Sequence, residues 1–315
     1  MACNTNHPKN KQVATESKKP LQLDTIDFKN RMKILANNDT TGLWPIKNQS
    51  FPLPGAILPF KRIVAYYGNL NSKRMGVLGE FEPKEMWRRL QEEVKQWEKA
   101  DSLTPVQPAL HYIVTVAQAD SGVDGKYRLR MNENQIDSIL TIAKMGNAIV
   151  FLDIQVGLSN LKHEIPVLEK YLKMDNVHLG IDPEFSMKDG TKPGKKIGTF
   201  DASDINYASD YLATLVSKNH LTPKILVVHR FTKDMITNYK KIKIRPEVQI
   251  VIDMDGWGSP ALKKGTHYRH IYSEPVQFTG FKLFYKNDIK HEPFKMLTPS
   301  ELLKITPKPI YIQYQ

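Results

Sequence analysis

The chain has 315 residues, of which 41% are hydrophobic and 25% charged, and its formal net charge is +12. This composition is typical of a globular protein, and no apolar run approaches the roughly 20 residues that a membrane-spanning helix needs. The positive charge comes from scattered lysines, without an arginine cluster, a zinc spacing or an RNA-binding aromatic motif, so no nucleic-acid partner is predicted.

The N-terminal segment, residues 1–24, is rich in lysine, asparagine and serine and contains the only cysteine, Cys3. Such a composition predicts a disordered tether. A small residue, a cysteine and a polar tether in this order are typical of a bacterial lipoprotein, so we expect a lipid anchor on Cys3 and an extracytoplasmic location, in the periplasm or at the cell surface. An apolar signal segment would then lie directly upstream of Ala2 in the precursor. A cytoplasmic protein with an incidental cysteine is the alternative.

From residue 56 onwards, short apolar runs alternate with amphipathic segments. Strands are predicted at 62–68, 109–117, 148–156, 177–185, 224–231, 248–258, 278–288 and 309–315. Helices are predicted at 83–99, 132–146, 161–173 with a break at Pro166, 201–218, 232–240 and 298–306, and a looser stretch is predicted at 260–275. Several strands are apolar on both faces, as parallel strands covered by helices are.

This alternation predicts an α/β fold, and eight strand–helix units in about 250 residues predict a closed (β/α)8 TIM barrel. The barrel would span residues 56–315 as a single domain, with residues 25–55 as an N-terminal extension packed on it and with PIYIQYQ (309–315) pairing beside RIVAYYG (62–68). A doubly wound open sheet is the competitor. It usually carries a glycine-rich phosphate loop after its first strand, which GNLNSKRMG does not match.

Polar residues follow the predicted strands at their C-terminal ends, where TIM barrels place their active sites. In LGIDPEF, Asp182 and Glu184 flank Pro183, and the alternation of side chains along a strand places both on the inward face. The third and sixth strands end in acids in the same way. The predicted catalytic residues are Glu184, Asp182, Asp153, Asp253 and Asp255. The predicted substrate-binding residues are Tyr67, Gln118, Gln155, His229, Trp257 and Lys286.

Clustered carboxylates repel one another unless a proton, a cation or a substrate shares their site. Paired carboxylates beside aromatic rings suit the cleavage of a glycosidic bond, in which one acid of raised pKa protonates the leaving oxygen and the other acts as base or nucleophile. We expect Glu184 to be the general acid, and Asp182 to orient it and to raise its pKa. The predicted partner is a carbohydrate or polysaccharide, and no metal or other cofactor is expected for this reaction.

The segments AYYGNLNSKRMGVLGE, VFLDIQVG, GIDPEFSM, VVHRFTKDMI and GFKLFYKND are similar to those of a group of bacterial secreted proteins and lipoproteins with glycosidase-like barrels. The similarity spans nearly all of residues 60–315. It implies the barrel fold and an exported location, and it carries over no catalytic residues. LGIDPEF also resembles the end of strand four in chitinase-type barrels. His178 and Gly180 replace the acids that precede the pair in chitinases, so an acetamido-assisted mechanism is not implied.

Two other functions stay open. A metal-dependent phosphodiesterase would also use clustered Asp, Glu and His, with a divalent cation between them. The pair His229–Arg230 resembles the His-Arg of glycerophosphodiesterases, but it ends the fifth strand rather than the first and lacks the Glu-Asn-Thr partner. The other alternative is a non-catalytic barrel that binds glycans at the cell surface. A bound divalent metal would favour the phosphodiesterase, and sugar binding without turnover would favour the binding protein.

Overall fold

A computed structural model describes residues 22–47 and 49–315, so Cys3 and most of the predicted tether lie outside the described residues. Eight parallel strands form a closed barrel. They are β1 (Arg62–Gly68), β2 (Val106–Ala117), β3 (Ile149–Ile154), β4 (Val177–Ile181), β5 (Lys224–Arg230), β6 (Val248–Met254), β7 (Phe278–Leu283) and β8 (Tyr311–Tyr314). Each pairs with the next, and β8 pairs with β1, with Tyr311 opposite Ile63. The predicted (β/α)8 barrel and the closing role of PIYIQYQ are confirmed.

The helices of the described residues surround the barrel or close its lower end. They are α1 (Thr25–Leu35), α2 (Val77–Glu80), α3 (Pro83–Ala100), α4 (Glu133–Lys144), α5 (Leu161–Glu164), α6 (Glu169–Leu172), α7 (Ala202–Asn219), α8 (Pro260–His267) and α9 (Pro299–Leu302). Short strands at Arg128–Arg130, Phe200–Asp201 and Ile236–Thr237 lie outside the barrel. Among the described helices, none combines the length and the apolar character needed to cross a bilayer.

Local sequence explains where the longer helices begin. Helix α3 has Pro83 in its first turn, where the missing N–H costs nothing, and it buries Leu90, Val94 and Trp97 on one stripe. Helix α4 begins at a capping box in which Asn132 and Gln135 exchange side-chain and backbone hydrogen bonds. The predicted break near Pro166 is also present, since the 3₁₀ turn Pro166–Leu168 separates α5 from α6.

Two predicted segments differ in kind from the structure. The predicted strands 177–185, 248–258 and 278–288 and the predicted helix 298–306 are present but shorter. The segment predicted as a helix at 232–240 forms two short 3₁₀ turns, Lys233–Met235 and Tyr239–Lys241. The stretch expected to be loose at 260–275 instead forms α8, which continues as a π-helical turn over Tyr268–Tyr272. The Ser259 side chain accepts a hydrogen bond from the Leu262 backbone N–H, and Pro260 occupies the first turn of α8. This cap supports a helix that contains Ala261, Leu262 and two lysines but is weakened by Gly265 in its interior.

The interior of the barrel is divided into an apolar half and a polar half. Near the N-terminal ends of the strands, inward side chains form one apolar cluster with the buried face of α1. The cluster contains Phe28, Met32 and Leu35 of α1 and, among others, Ile63, Ala65, Ala109, Phe151, Val227 and Val251 of the strands. The helix therefore closes this end of the barrel. Most polar inward side chains lie in the C-terminal half of the strands, whereas His178 and Gln249 are buried at the level of the apolar cluster.

The outward faces of the strands form a second apolar layer under the surrounding helices. Val64, Leu110, Leu152, Leu179 and Ile250 belong to this layer and have no exposed surface. They alternate along the strands with the inward residues, as the pleat requires. Burial of each such aliphatic side chain contributes roughly 1.5–3 kcal/mol relative to exposure. This layer fixes which side chains of each strand point into the barrel.

Candidate active site

A cleft of about 590 Å³ opens at the C-terminal ends of the strands. This volume is in the usual range for sites that bind small molecules. All eight strands contribute to it directly or through the residues that follow them. The lining includes Tyr67 (β1), Val116 (β2), Gln155 (β3), Asp182 and Glu184 (β4), Phe231 (β5), Asp255 and Trp257 (β6), Lys282 (β7) and Gln315 (β8). The candidate site therefore lies where the sequence places it.

Asp182 and Glu184 both reach the cleft, but strand alternation is not the reason for Glu184. Strand β4 ends at Ile181, and the residues Pro183–Phe185 form a 3₁₀ turn. Asp182 caps this turn, because its Oδ1 accepts a hydrogen bond from the Glu184 backbone N–H at 2.9 Å. Phe185 also lines the cleft, although alternation would place it in the helix layer. Pro183 fixes φ at the start of the turn. The capping hydrogen bond and the proline ring therefore restrict the backbone that carries the Asp182 and Glu184 carboxyl groups.

Glu184 has the electrostatic environment of a proton donor. Its partial burial, with the negative charge of Asp255 nearby, raises the pKa of the carboxyl to about 7, against the opposing effect of Lys282 and His229. A group whose pKa lies near the working pH is well suited to general acid–base catalysis. Burial, together with the charges of Glu184 and Asp153, also holds the pKa of Asp182 well above its ordinary value.

Asp255 lies beside positively charged groups, which favour its ionised form, in contrast to Glu184. Its Oδ1 is 3.0 Å from Lys282 Nζ and its Oδ2 is 3.1 Å from His229 Nδ1. Burial alone would raise the pKa of Asp255, but Lys282 and His229 outweigh it and hold the pKa below its ordinary value. The Lys282 ammonium lies 3.7 Å from the centre of the Tyr67 ring, a cation–π contact that helps to fix its position. Asp255 is thus an anion within the cleft.

Beneath the cleft lies a cluster of fully buried polar side chains. Asp153 Oδ1 is 3.3 Å from His111 Nε2 and 3.4 Å from His229 Nε2. Asp153 Oδ2 accepts a hydrogen bond from the Tyr67 hydroxyl at 3.1 Å. Asp253 Oδ2 is 3.6 Å from His229 Nδ1, and burial raises the pKa of Asp253 to about 7. Asp153, Asp253 and His229 therefore support the cleft from below and do not line it.

The ionisation of this buried cluster is decided by the neighbours of its two histidines. Burial lowers the pKa of His111 to about 4, so this ring is neutral at pH 7. Burial would lower the pKa of His229 too, but Asp153 and Asp255 raise it well above its ordinary value. Two anions, Asp153 and Asp255, then face two cations, His229 and Lys282. Such a balance of charge is what a buried ionic cluster needs.

Glycines on the inward faces make room for this cluster. A Cβ atom on Gly180 would lie 2.4 Å from both Asp153 Oδ1 and His111 Nε2. A Cβ atom on Gly280 would lie 2.5 Å from Asp253 Oδ1. Carbon atoms cannot approach these polar atoms so closely. Gly180, which replaces an acid of the chitinase pattern, therefore has a steric reason to be glycine.

The remaining residues that were predicted to bind substrate are divided between the cleft and its surroundings. Trp257 lines the cleft and is 50% exposed. Gln155 also lines it, where its Oε1 accepts from the Ala117 backbone N–H at 3.0 Å.

Gln118 and Lys286 are not among the lining residues. Gln118 pairs through its backbone with Tyr127, whereas the Lys286 side chain is 73% exposed and pairs with Glu80 at 2.7 Å. Strand β7 ends at Leu283, so Lys286 lies beyond its inward face.

Sequence reasoning missed His111 and Lys282 as site residues. Both lie inside strands rather than at their ends, and each is a charged or polar residue between apolar neighbours, in LHY and FKL. That pattern indicates an inward polar side chain in a closed barrel.

The Arg230 side chain points away from the cleft, since it pairs with Glu274 and donates to the His270 carbonyl oxygen at 2.8 Å. The phosphodiesterase alternative would require His229 and Arg230 to act together in the cleft. Because Arg230 points away from His229, the two residues do not do so.

No protein-family model and no curated protein matches this chain. Among solved structures, a trimodular endoglucanase of subfamily GH5_4 is similar with a TM-score of 0.43 and 7% identity, over 82% of this chain and 56% of that one. The chain therefore spans little more than half the length of that endoglucanase. The Bacillus subtilis mannanase BCman is similar with a TM-score of 0.38 and 12% identity, over 93% of this chain and 86% of that one. TM-scores this low carry no functional argument, and the pairing of the strands establishes the barrel.

Proposed function

We propose that this protein is a glycoside hydrolase that cleaves a polysaccharide in the cleft at the C-terminal ends of the strands. The observation that carries the proposal is the pair Glu184 and Asp255, which line one cleft in opposite environments. Glu184 is partly buried, which favours its neutral form. Asp255 is held as an anion by the Lys282 ammonium 3.0 Å away. A protonated and an ionised carboxyl group at one site are the two groups that glycosidic bond cleavage requires.

In the proposed reaction, Glu184 gives its proton to the glycosidic oxygen as the bond between that oxygen and the anomeric carbon breaks. The Asp255 carboxylate stabilises the positive charge that develops on the anomeric carbon, as nucleophile or as base for a water molecule. If Asp255 is the nucleophile, water then cleaves the bond between Asp255 and the sugar and gives its other proton to Glu184. If Asp255 is the base, it takes that proton from the attacking water, and Glu184 regains a proton from solvent. Asp182 positions Glu184 through the hydrogen bond that it accepts from the backbone N–H.

The exposed face of Trp257 supports a carbohydrate substrate. An indole ring that lines a cleft and is 50% exposed offers a flat apolar surface of the kind on which the C–H face of a sugar ring stacks. We also propose the extracytoplasmic, lipid-anchored location through Cys3. A polysaccharide outside the cell would be within reach of a barrel held at the membrane by a long polar tether.

The test is to screen the full chain against a panel of polysaccharides and chromogenic glycosides while measuring new reducing ends. We expect turnover of at least one substrate, which Glu184→Gln and Asp255→Asn should lower by about two orders of magnitude or more. Glu98→Gln, an exposed acid on α3, is the matched control and should keep full activity.

The other outcomes discriminate between the alternatives. Sugar binding without turnover would contradict the proposal and favour the glycan-binding protein. Hydrolysis of phosphodiesters that a chelator abolishes would favour the phosphodiesterase. Full activity in a well-folded Glu184→Gln protein would reject the assignment of the acid.

A further inference from the structure

We propose that His111, Asp153 and His229 form a buried binding site for one divalent transition-metal ion, for which Zn²⁺ is the best candidate. The site lies beneath the cleft and does not depend on the proposed glycosidase function. Because none of its three ligands lines the cleft, an ion bound there would be structural and would not favour the phosphodiesterase alternative. One ligand atom from each of these residues lies within 4.8 Å of the other two. The close contacts identify these atoms as His111 Nε2, Asp153 Oδ1 and His229 Nε2.

These three atoms are buried without a satisfactory partner. All three side chains have no exposed surface. Although the atoms are close together, none of them makes a hydrogen bond of acceptable geometry with any residue in the described part of the chain. Leaving a buried polar atom without a partner destabilises the folded state. A metal ion bound between them would remove this cost for all three atoms at once.

The separations fit shared coordination better than direct hydrogen bonds. His111 Nε2 and His229 Nε2 lie 3.3 Å and 3.4 Å from Asp153 Oδ1. A hydrogen bond between nitrogen and oxygen is usually about 2.9–3.0 Å long. Two atoms bound to Zn²⁺ at roughly 2.0–2.1 Å in tetrahedral geometry are about 3.3–3.4 Å apart. Both separations therefore equal the edge of a zinc coordination tetrahedron.

The atoms of the same side chains that face away from the site each have an oxygen partner. His111 Nδ1 is 2.6 Å from the Tyr311 hydroxyl, which also accepts from Gln313 Nε2 at 2.8 Å. His229 Nδ1 is 3.1 Å from Asp255 Oδ2. Asp153 Oδ2 accepts from the Tyr67 hydroxyl. Metal-bound histidines characteristically donate their second ring N–H to an oxygen, which fixes the tautomer and the ring orientation. His111 has that arrangement, whereas His229 Nδ1 faces Asp255 at 3.1 Å without hydrogen-bond geometry.

Two imidazoles and one carboxylate are a donor set used by zinc sites with three protein ligands, and also by iron(II) sites. The two nitrogen–oxygen separations of 3.3 Å and 3.4 Å match a tetrahedral site, the geometry that zinc prefers. The ion would take the place of the proton on His229 Nε2, which is released to solvent on binding. None of the three ligands lines the cleft, so the ion would not touch the substrate. It would instead hold the Nδ1–H of His229 towards Asp255.

The test is the metal content of the full chain, prepared without chelators, dialysed against excess Zn²⁺ and then against metal-free buffer. We expect about one zinc per chain by mass spectrometry, and a loss of most of it in His111→Gln and Asp153→Asn. The matched control is His178→Gln. His178 is another fully buried inward histidine, on β4, whose Nδ1 accepts from the Ile225 backbone N–H, and it lies outside the cluster. This variant should keep its zinc.

Co²⁺ substitution of the wild-type protein gives a second readout that needs no variant to fold. Four-coordinate Co²⁺ bound by nitrogen and oxygen should produce intense visible d–d bands. Wild-type protein that keeps far less than one ion per chain and shows no such bands would overturn the proposal. Undiminished zinc in folded His111→Gln and Asp153→Asn proteins would overturn it too. Neither result depends on turnover, so failure of the metal site and failure of the glycosidase proposal are distinguishable.

Discussion

Replacing Glu184 by glutamine tests whether the ionised carboxyl group of Glu184 lowers the free energy of unfolding. The pKa of Glu184 is about 7 in the folded protein against an ordinary value of 4.5, chiefly because the side chain is partly buried and secondly because Asp255 is near. Between these two values the folded protein keeps a proton that the unfolded chain has lost. The free energy of unfolding therefore falls as the pH rises from 4.5 to 7.

At roughly 1.4 kcal/mol for each pKa unit, this difference corresponds to about 3 kcal/mol as an upper limit. Glutamine is nearly isosteric with glutamate and does not ionise. We therefore expect Glu184→Gln to match the wild-type protein in stability near pH 4.5 and to exceed it by up to about 3 kcal/mol near pH 8. The variant would thus gain stability under the conditions in which it loses activity, as is common for catalytic groups in unfavourable environments.

The assay is urea denaturation of both proteins at the two pH values, with Glu98→Gln as the control for loss of an exposed charge. The control should differ from the wild-type protein by the same small amount at each pH. An equal difference between the wild-type protein and Glu184→Gln at both pH values would refute the raised pKa. A variant that is less stable than the wild-type protein near pH 8 would show that the carboxylate is a structural partner.

Three further predictions concern the barrel, the cleft and the tether. Deletion of residues 309–315 removes β8, which pairs with β1 and β7, so it should abolish cooperative thermal unfolding; a truncated protein that melts like the full chain would contradict the closed barrel. Trp257→Ala should weaken oligosaccharide binding by titration calorimetry about tenfold, with Tm unchanged because the indole is half exposed; unaltered affinity would remove Trp257 from the binding surface. Cys3→Ser should move the protein from the membrane to a soluble extracytoplasmic fraction, whereas unchanged partitioning would argue against lipidation.

The sequence by itself determines the architecture of this protein, because strand and helix periodicities are local properties. The run RIVAYYG corresponds to β1 residue for residue, and the alternation of inward and outward positions places Val251 and Asp253 inside the barrel. It also brings Asp182 and Asp255 to the mouth, since the C-terminal ends of parallel strands meet at one end of a barrel.

The tertiary structure alone decides which of these groups meet and what each of them can do. The pair Lys282–Asp255 joins β7 to a residue beyond the end of β6, and no local pattern predicts that contact. Glu184 reaches the cleft through a 3₁₀ turn rather than through the strand, and its pKa depends on burial by residues distant in sequence. His111 and His229 come together with Asp153 only because the sheet closes into a barrel. Charge, burial and coordination depend on distances in space, and these are set when the strands pair.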